Sequence, residues 1–300
     1  MDVVEIIKGD IATWPPKMDM MDVSKIKRKF LDCPYSDQSP RQKVDIYLPD
    51  EGEGPFPTII FMHGGAFYAG DKRDVQGLQI IDGIRHGYAV VCVGQRLAGE
   101  VTFPLPLFDF KAAIRFLRAN ATKYRLDGDN FASAGDSAGG YYVVMAAATQ
   151  DIPAFEDVSM GNAEYSSKVK AVISWFGLYD LPAMLDTGED GKPLSILEPS
   201  IYETFLGAPM DKIQGLMRFV NPVNFISPSF PHVLVQHGTK DSAVPVSQSR
   251  KLYKAVCRVC GKDRIEFDEF EGYEHGGFET RFSDKENMDR VFSYLDKYLK

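Results

Sequence analysis

Along most of this chain two hydrophobic patterns take turns. Short runs such as Thr58-Ile59-Ile60-Phe61-Met62 and Ala89-Val90-Val91-Cys92-Val93 are apolar at nearly every position, as strands buried on both faces are. Between them lie longer stretches in which apolar residues return every three or four positions, the period of a helix with one buried stripe. The pattern predicts strands over 25–31, 43–48, 58–62, 89–93, 131–135, 169–175, 233–236 and 264–270. It predicts helices over 75–86, 107–124, 138–149, 247–260 and 285–299. Strands that alternate with helices imply an α/β protein with a mostly parallel central sheet flanked by helices. The charges of Lys25-Ile26-Lys27-Arg28-Lys29 read as the solvent face of an edge strand.

Two stretches break the rhythm. Residues 1–24 read as an N-terminal extension with a turn at Trp14-Pro15-Pro16. Residues 180–228 separate two strands by a connection too long to be a simple loop. Their apolar residues (Leu185, Leu194, Ile196, Tyr202, Phe205, Leu206, Met217 and Phe219) predict a small packed cap, inserted into a single domain spanning 1–300.

Composition narrows the field without pointing to a chemistry. The 300 residues are 44% hydrophobic and 25% charged, which is ordinary for a globular protein, and a chain of this size buries enough surface to need no staple. With 34 Lys+Arg against 42 Asp+Glu the net charge is −8, which opposes a nucleic-acid backbone as partner. The longest apolar runs fall short of a membrane span, and no cationic start leads into an apolar run at the N-terminus. The expected address is therefore the cytoplasm. Four cysteines are too few and too scattered for a disulfide framework. Cys257 and Cys260 form a CxxC, yet no further ligands stand at matching spacing, so no metal is expected and the pair reads as packed thiols.

The chemistry is concentrated in four short segments. Gly135-Asp136-Ser137-Ala138-Gly139-Gly140 is a GxSxG sequence between a predicted strand and an Ala/Val-rich helix. A sharp strand-to-helix turn exposes a serine hydroxyl at the strand's end, and small flanking residues let strand and helix approach. Ser137 is thus the candidate nucleophile. Asp136 beside it either tunes the field of the site or, as favoured here, hydrogen-bonds neighbouring backbone. His63-Gly64-Gly65-Ala66-Phe67 follows another buried strand. Glycines there let main-chain N–H groups approach an oxyanion, so Gly64, Gly65 and Ala138 are the candidate donors. Losing one such donor typically costs about 2.7–4 kcal/mol of transition-state stabilisation.

Of the five histidines, His63 opens that loop, His86 ends a helix, and His232 and His237 flank a strand. His275 lies in the glycine-bounded loop Glu271-Gly272-Tyr273-Glu274-His275-Gly276-Gly277-Phe278 between the last strand and last helix, which suits an imidazole that must serve nucleophile and leaving group in turn. In His237-Gly238-Thr239-Lys240-Asp241, Asp241 follows a late strand and completes the order Ser, Asp, His. Asp180, after the preceding strand, is the runner-up.

These segments, preceded by Asp45-Ile46-Tyr47-Leu48-Pro49, give the chain its likeness. From about residue 36 to 300 it resembles the α/β-hydrolase fold carboxylesterases of the hormone-sensitive-lipase-like branch, and is similar to bacterial feruloyl and acetyl-xylan esterases. The resemblance implies serine ester hydrolysis through an acyl-enzyme, without a cofactor, on short-chain acyl or aryl esters, acetylated or feruloylated saccharides among them. Two departures stand out: Ala66 replaces the third glycine of an HGGG, and Gly94-Gln95-Arg96-Leu97 replaces Asp-Tyr-Arg-Leu. Arg96 is expected to pair structurally with a buried acid such as Asp109. Phe67, Tyr68, Tyr141 and Tyr142 are candidates to shape the acyl and alcohol pockets.

The expected partner is a small-molecule ester, with neither nucleic acid nor membrane. The cap and the extension offer surfaces for a homodimer that nothing in the spacing requires. Two alternatives remain open: a prolyl-oligopeptidase-like serine peptidase, and a non-catalytic ligand-binding relative. HGGAF and the absence of a propeller before the fold weigh against the first, and three retained triad candidates against the second.

Overall fold

The computed structural model describes residues 19–189, 191–276 and 280–300. Residues 1–18 of the expected extension, Trp14-Pro15-Pro16 included, lie outside that set, as do Gly277 and Phe278 of the His275 loop. Eight strands among the described residues form one sheet: β1 (Lys29–Pro34), β2 (Lys43–Tyr47), β3 (Phe56–Met62), β4 (Ala89–Val93), β5 (Leu126–Asp136), β6 (Ala171–Trp175), β7 (His232–Gly238) and β8 (Ile265–Phe270). Their spatial order is β1-β2-β4-β3-β5-β6-β7-β8. β2 is antiparallel to both β1 and β4, and every pairing from β4 to β8 is parallel.

The continuous apolar runs are explained by helices on both faces. Ile60, Met62, Val91 and Val93 face one core, shared with α1 (Leu105–Ala119), α2 (Ala138–Ala148) and α5 (Ser247–Cys260). Ile59, Phe61, Val90 and Cys92 face the other, covered by α6 (Lys285–Leu299). Successive residues point to opposite sides, so both sides must be apolar. The cap-like insertion 180–228 carries α3 (Pro199–Leu206) and α4 (Met210–Phe219). It packs Tyr202, Phe205, Ile213 and Met217 into the first of these cores.

Several boundaries differ from the sequence reading, each for a local reason. β1 begins at Lys29, not at residue 25, because Ile26 closes a turn onto the Val23 carbonyl. The segment 75–86 breaks into three short turns, Val75–Gly77, Leu78–Ile81 and Asp82–His86, since Gly77 and Gly83, poor helix formers, fall inside it. The helix predicted to reach 124 stops at Ala119, where the Asn120 side chain donates to the Phe116 carbonyl, and a short turn Ala121–Tyr124 follows. β5 starts five residues early, because its first half is only partly buried and lacks the apolar signal. The expected pair of Arg96 and Asp109 is present: the guanidinium Nη2 lies 2.6 Å from Oδ1, and the Arg96 N–H donates to Oδ2 at 2.9 Å.

Candidate active site

The loops that leave the C-terminal ends of β3, β5, β7 and β8 meet at one edge of the sheet, where open α/β sheets bind ligands. β5 runs directly into α2, and Ser137 is the joint. Its backbone adopts φ 52° and ψ −119°, a conformation that costs a non-glycine residue on the order of 1–3 kcal/mol and persists only where its surroundings hold it. Here the Ser137 N–H donates to the Trp175 carbonyl at 2.9 Å. The glycines of GxSxG are required by space: a Cβ on Gly139 would lie 2.0 Å from the Met62 carbonyl oxygen of the neighbouring strand. The sharp turn therefore holds the serine half-buried at the crest while its neighbours are buried.

Asp241 and His275 come from adjacent parallel strands whose loops are stitched together. Thr239 N–H donates to the Phe270 carbonyl at 3.0 Å, Lys240 N–H to the Tyr273 carbonyl at 3.0 Å, and Ser242 N–H to Glu274 Oε2 at 3.0 Å. This stitching brings His275 Nδ1 within 2.7 Å of Asp241 Oδ2 and His275 Nε2 within 3.0 Å of Ser137 Oγ. A carboxylate only accepts, so Nδ1 carries the proton and Nε2 is free to accept the serine's. The Phe176 and His275 rings pack edge to face, with centroids 4.6 Å apart. Asp241 Oδ1 accepts from the Ala243 and Val244 N–H groups at 3.0 and 2.7 Å. Burial alone would raise the Asp241 pKa, yet the charge of His275 and hydrogen bonds from His237 and His275 hold it well below the usual carboxylate range.

A second serine–histidine pair touches the same carboxylate. His237 Nε2 lies 3.1 Å from Asp241 Oδ2 and 2.7 Å from the Val244 carbonyl, and its Nδ1 lies 2.6 Å from Ser249 Oγ. His237 and Ser249 are completely buried, the latter within α5. No substrate carbonyl can reach that serine.

The loop after β3 has positive φ at three successive residues, Gly65 (φ 107°), Ala66 (φ 49°) and Phe67 (φ 73°), which strains the two that are not glycine. Position 65 needs glycine, since a Cβ there would meet the Ala69 carbonyl oxygen at 2.3 Å. One expected donor is corrected by the structure. The Gly64 N–H is shared between Gln76 Oε1 at 2.7 Å and Asp136 Oδ1 at 3.0 Å, so it is committed within the protein. The N–H groups of Gly65, Ala66 and Ala138 have no protein acceptor among the described residues. Asp136 is thus an anchor for backbone, the favoured of its two readings. Burial and the nearby Asp74 push its carboxyl up to about 7, against the pull of His275 and Gly64. Gln76 was invisible in the sequence, because an amide on an irregular turn carries no motif.

Of the four aromatic residues expected to shape a pocket, Phe67, Tyr141 and Tyr142 are no more than 2% exposed. Their rings pack edge to face among themselves. Phe205 of the cap stacks on Phe67 with centroids 4.0 Å apart and planes 15° apart. The Tyr141 hydroxyl donates to the Val220 carbonyl at 2.9 Å. These rings tie the cap to the strained loop, while Tyr68 is half-buried.

The remaining candidates lie elsewhere. Asp180 pairs with Lys251 at 2.6 Å. His63 Nδ1 approaches the Gly64 carbonyl at 2.7 Å. His86 stacks on Phe292 and His232 on Tyr298. Cys257 and Cys260 are half-buried against the core, where Cys260 meets the Ser227 carbonyl. Among the described residues no group of three or more His, Cys, Asp or Glu could hold a metal ion, and no helix is long and apolar enough to cross a membrane.

The BD-FAE family model matches residues 44–256. Esterase LipC of Mycobacterium tuberculosis (strain ATCC 25618 / H37Rv) is 28% identical over 244 residues, covering 81% of this chain and 58% of that protein. The chain thus spans a little over half the length of these curated mycobacterial relatives. A bifunctional GH43-CE protein of Bacteroides eggerthii is 28% identical with a TM-score of 0.76, over 90% of this chain and 38% of that one. The truncated form of a carbohydrate esterase from gut microbiota has a TM-score of 0.78 at 22% identity, over 94% of this chain and 99% of that one.

Proposed function

Since the chain belongs to the BD-FAE family, we propose that it is a serine carboxylic ester hydrolase for short-chain acyl or aryl esters, with acetylated or feruloylated saccharides as the natural class. The observation that carries this reading is the hydrogen-bonded line from Ser137 Oγ through His275 to Asp241, at 3.0 and 2.7 Å, ending on a half-buried serine.

Ser137 Oγ attacks the ester carbonyl carbon as its proton passes to His275 Nε2, and Asp241 steadies the imidazolium that forms. The negative oxygen of the tetrahedral intermediate takes hydrogen bonds from the uncommitted N–H groups of the loop after β3 and of Ala138. Collapse breaks the bond to the alcohol oxygen, which takes the proton back from His275. Water, deprotonated by His275, then attacks the acyl-enzyme and releases the acid and Ser137. No step draws on a cofactor. The four unpaired cysteines support a reducing compartment, in keeping with a cytoplasmic location.

The test is the initial rate on p-nitrophenyl acetate and p-nitrophenyl octanoate, for wild type and Ser137→Ala. Turnover of the acetate ester that collapses in the variant supports the reading, and acetylated and feruloylated oligosaccharides follow as substrates. No serine-dependent turnover of either ester overturns it.

A further inference from the structure

We propose that His237, with Ser249 behind it, is a positioning residue for the catalytic carboxylate: a second imidazole that orients Asp241 and moderates its hold on His275. The inference rests on the esterase reading above and adds two residues to its machinery.

The proton positions follow from the neighbours. His237 Nε2 faces two groups that only accept, Asp241 Oδ2 at 3.1 Å and the Val244 carbonyl at 2.7 Å, so Nε2 carries a hydrogen. Nδ1 is then an acceptor, and the Ser249 hydroxyl at 2.6 Å donates to it. Ser249 thereby supports the tautomer that the Val244 carbonyl and Asp241 impose on His237, because its hydroxyl donates to the nitrogen left without a hydrogen. All three side chains are at most 6% exposed, so water does not substitute for any of them.

Asp241 Oδ2 is shared by two imidazoles, at 2.7 Å from His275 and 3.1 Å from His237. The longer contact is made by an Nε2–H that also hydrogen-bonds the Val244 carbonyl; it adds to the hold that the Ala243 and Val244 N–H groups have on the carboxylate and draws part of its charge away from His275. Removing it leaves a carboxylate that binds the His275 imidazolium more strongly but is less firmly aimed. Other charges face these rings as well: Glu269 of β8 acts on His237, and Asp136 acts on His275. Neither is altered by the substitutions below. The uncharged Tyr179 hydroxyl neighbours Ser249.

The experiment measures kcat and KM for p-nitrophenyl acetate across pH, with melting curves, in wild type, His237→Leu, His237→Gln, Ser249→Ala and Ser137→Ala. His237→Leu is expected to lower kcat about tenfold, the scale of one hydrogen bond to a charged group, with KM within about twofold. Its acidic limb in kcat/KM moves to higher pH. A glutamine amide can donate where Nε2–H does, so His237→Gln recovers most of kcat and the wild-type limb. Ser249→Ala moves both in the direction of the leucine variant, by less. Unchanged kcat and limb in folded His237→Leu overturn the proposal, as does a glutamine variant as impaired as the leucine one. Should His237→Leu fail to fold, Ser249→Ala decides: a shifted limb supports the proposal and an unmoved one overturns it. Wild type without Ser137-dependent turnover is a different result, which fails the esterase reading and this inference with it.

Discussion

Two serine–histidine pairs meet on one carboxylate, and their difference explains which of them is built for chemistry. Ser137 and His275 approach Asp241 from the crest of the sheet, on a strained turn and a loop beyond β8. Ser249 and His237 approach it from inside, on a helix and a strand, with every polar atom engaged and no exposure. The residue types and the distances are nearly the same. What separates the pairs is access, together with an unoccupied role for the outer serine. Burial turns the same three groups from a reactive line into a support.

The largest expected effect breaks the comparison directly. Ser137→Ala is expected to lower kcat/KM by roughly a thousandfold or more, whereas Ser249→Ala stays within about tenfold of wild type. Steady-state kinetics on p-nitrophenyl acetate distinguish the two, and comparable losses would erase the distinction.

The next prediction concerns the turn that makes the outer serine accessible. Gly139→Ala places a Cβ 2.0 Å from the Met62 carbonyl oxygen. The atoms in the way are all backbone, of Met62 and His63, and cannot swing aside, so the variant is expected to lose about 3 kcal/mol or more, read as a lower melting temperature together with lost activity. A substitution of the same size in α5 should cost far less.

The smallest effect compares two buried carboxyls. Asp241 is held down by its imidazoles and therefore adds stability above the ordinary carboxylate range, lost as the pH falls below it. Asp136 is pushed up to about 7. Its contribution is fully present below about pH 4 and lost as pH rises through 7, because the unfolded chain ionises first. Asp136→Asn keeps an acceptor for the Gly64 N–H while removing the charge. It is expected to melt higher than wild type above pH 7, by on the order of 2 kcal/mol, and no higher at pH 4. Melting curves at the two pH values check this, and a gain independent of pH would contradict it.

What was legible in the sequence follows the same division. The sheet and the Ser137–Asp241–His275 line could be read because strand-end chemistry leaves local marks: glycines forced by close approach, and a loop histidine between strand and helix. The support could not. Gln76 and His237 act through contacts with residues twelve and four positions away, and nothing in their local pattern announces them. Gly64 was misassigned because a glycine shows that the backbone comes close, and not which acceptor its N–H has taken. The aromatic residues show the same limit: Tyr141 and Tyr142 stand beside Ser137 in sequence and Phe67 and Tyr68 in the loop after β3, but nothing local shows that Phe205, some seventy residues from Ser137, covers Phe67.

The central claim is that Ser137 alone of the two serines is the nucleophile. Treating the protein with a fluorophosphonate and mapping the modified peptide tests it most directly. One adduct is expected, on Ser137, and it fails to form in His275→Ala. An adduct on Ser249, or labelling that survives Ser137→Ala at the wild-type rate, would contradict it.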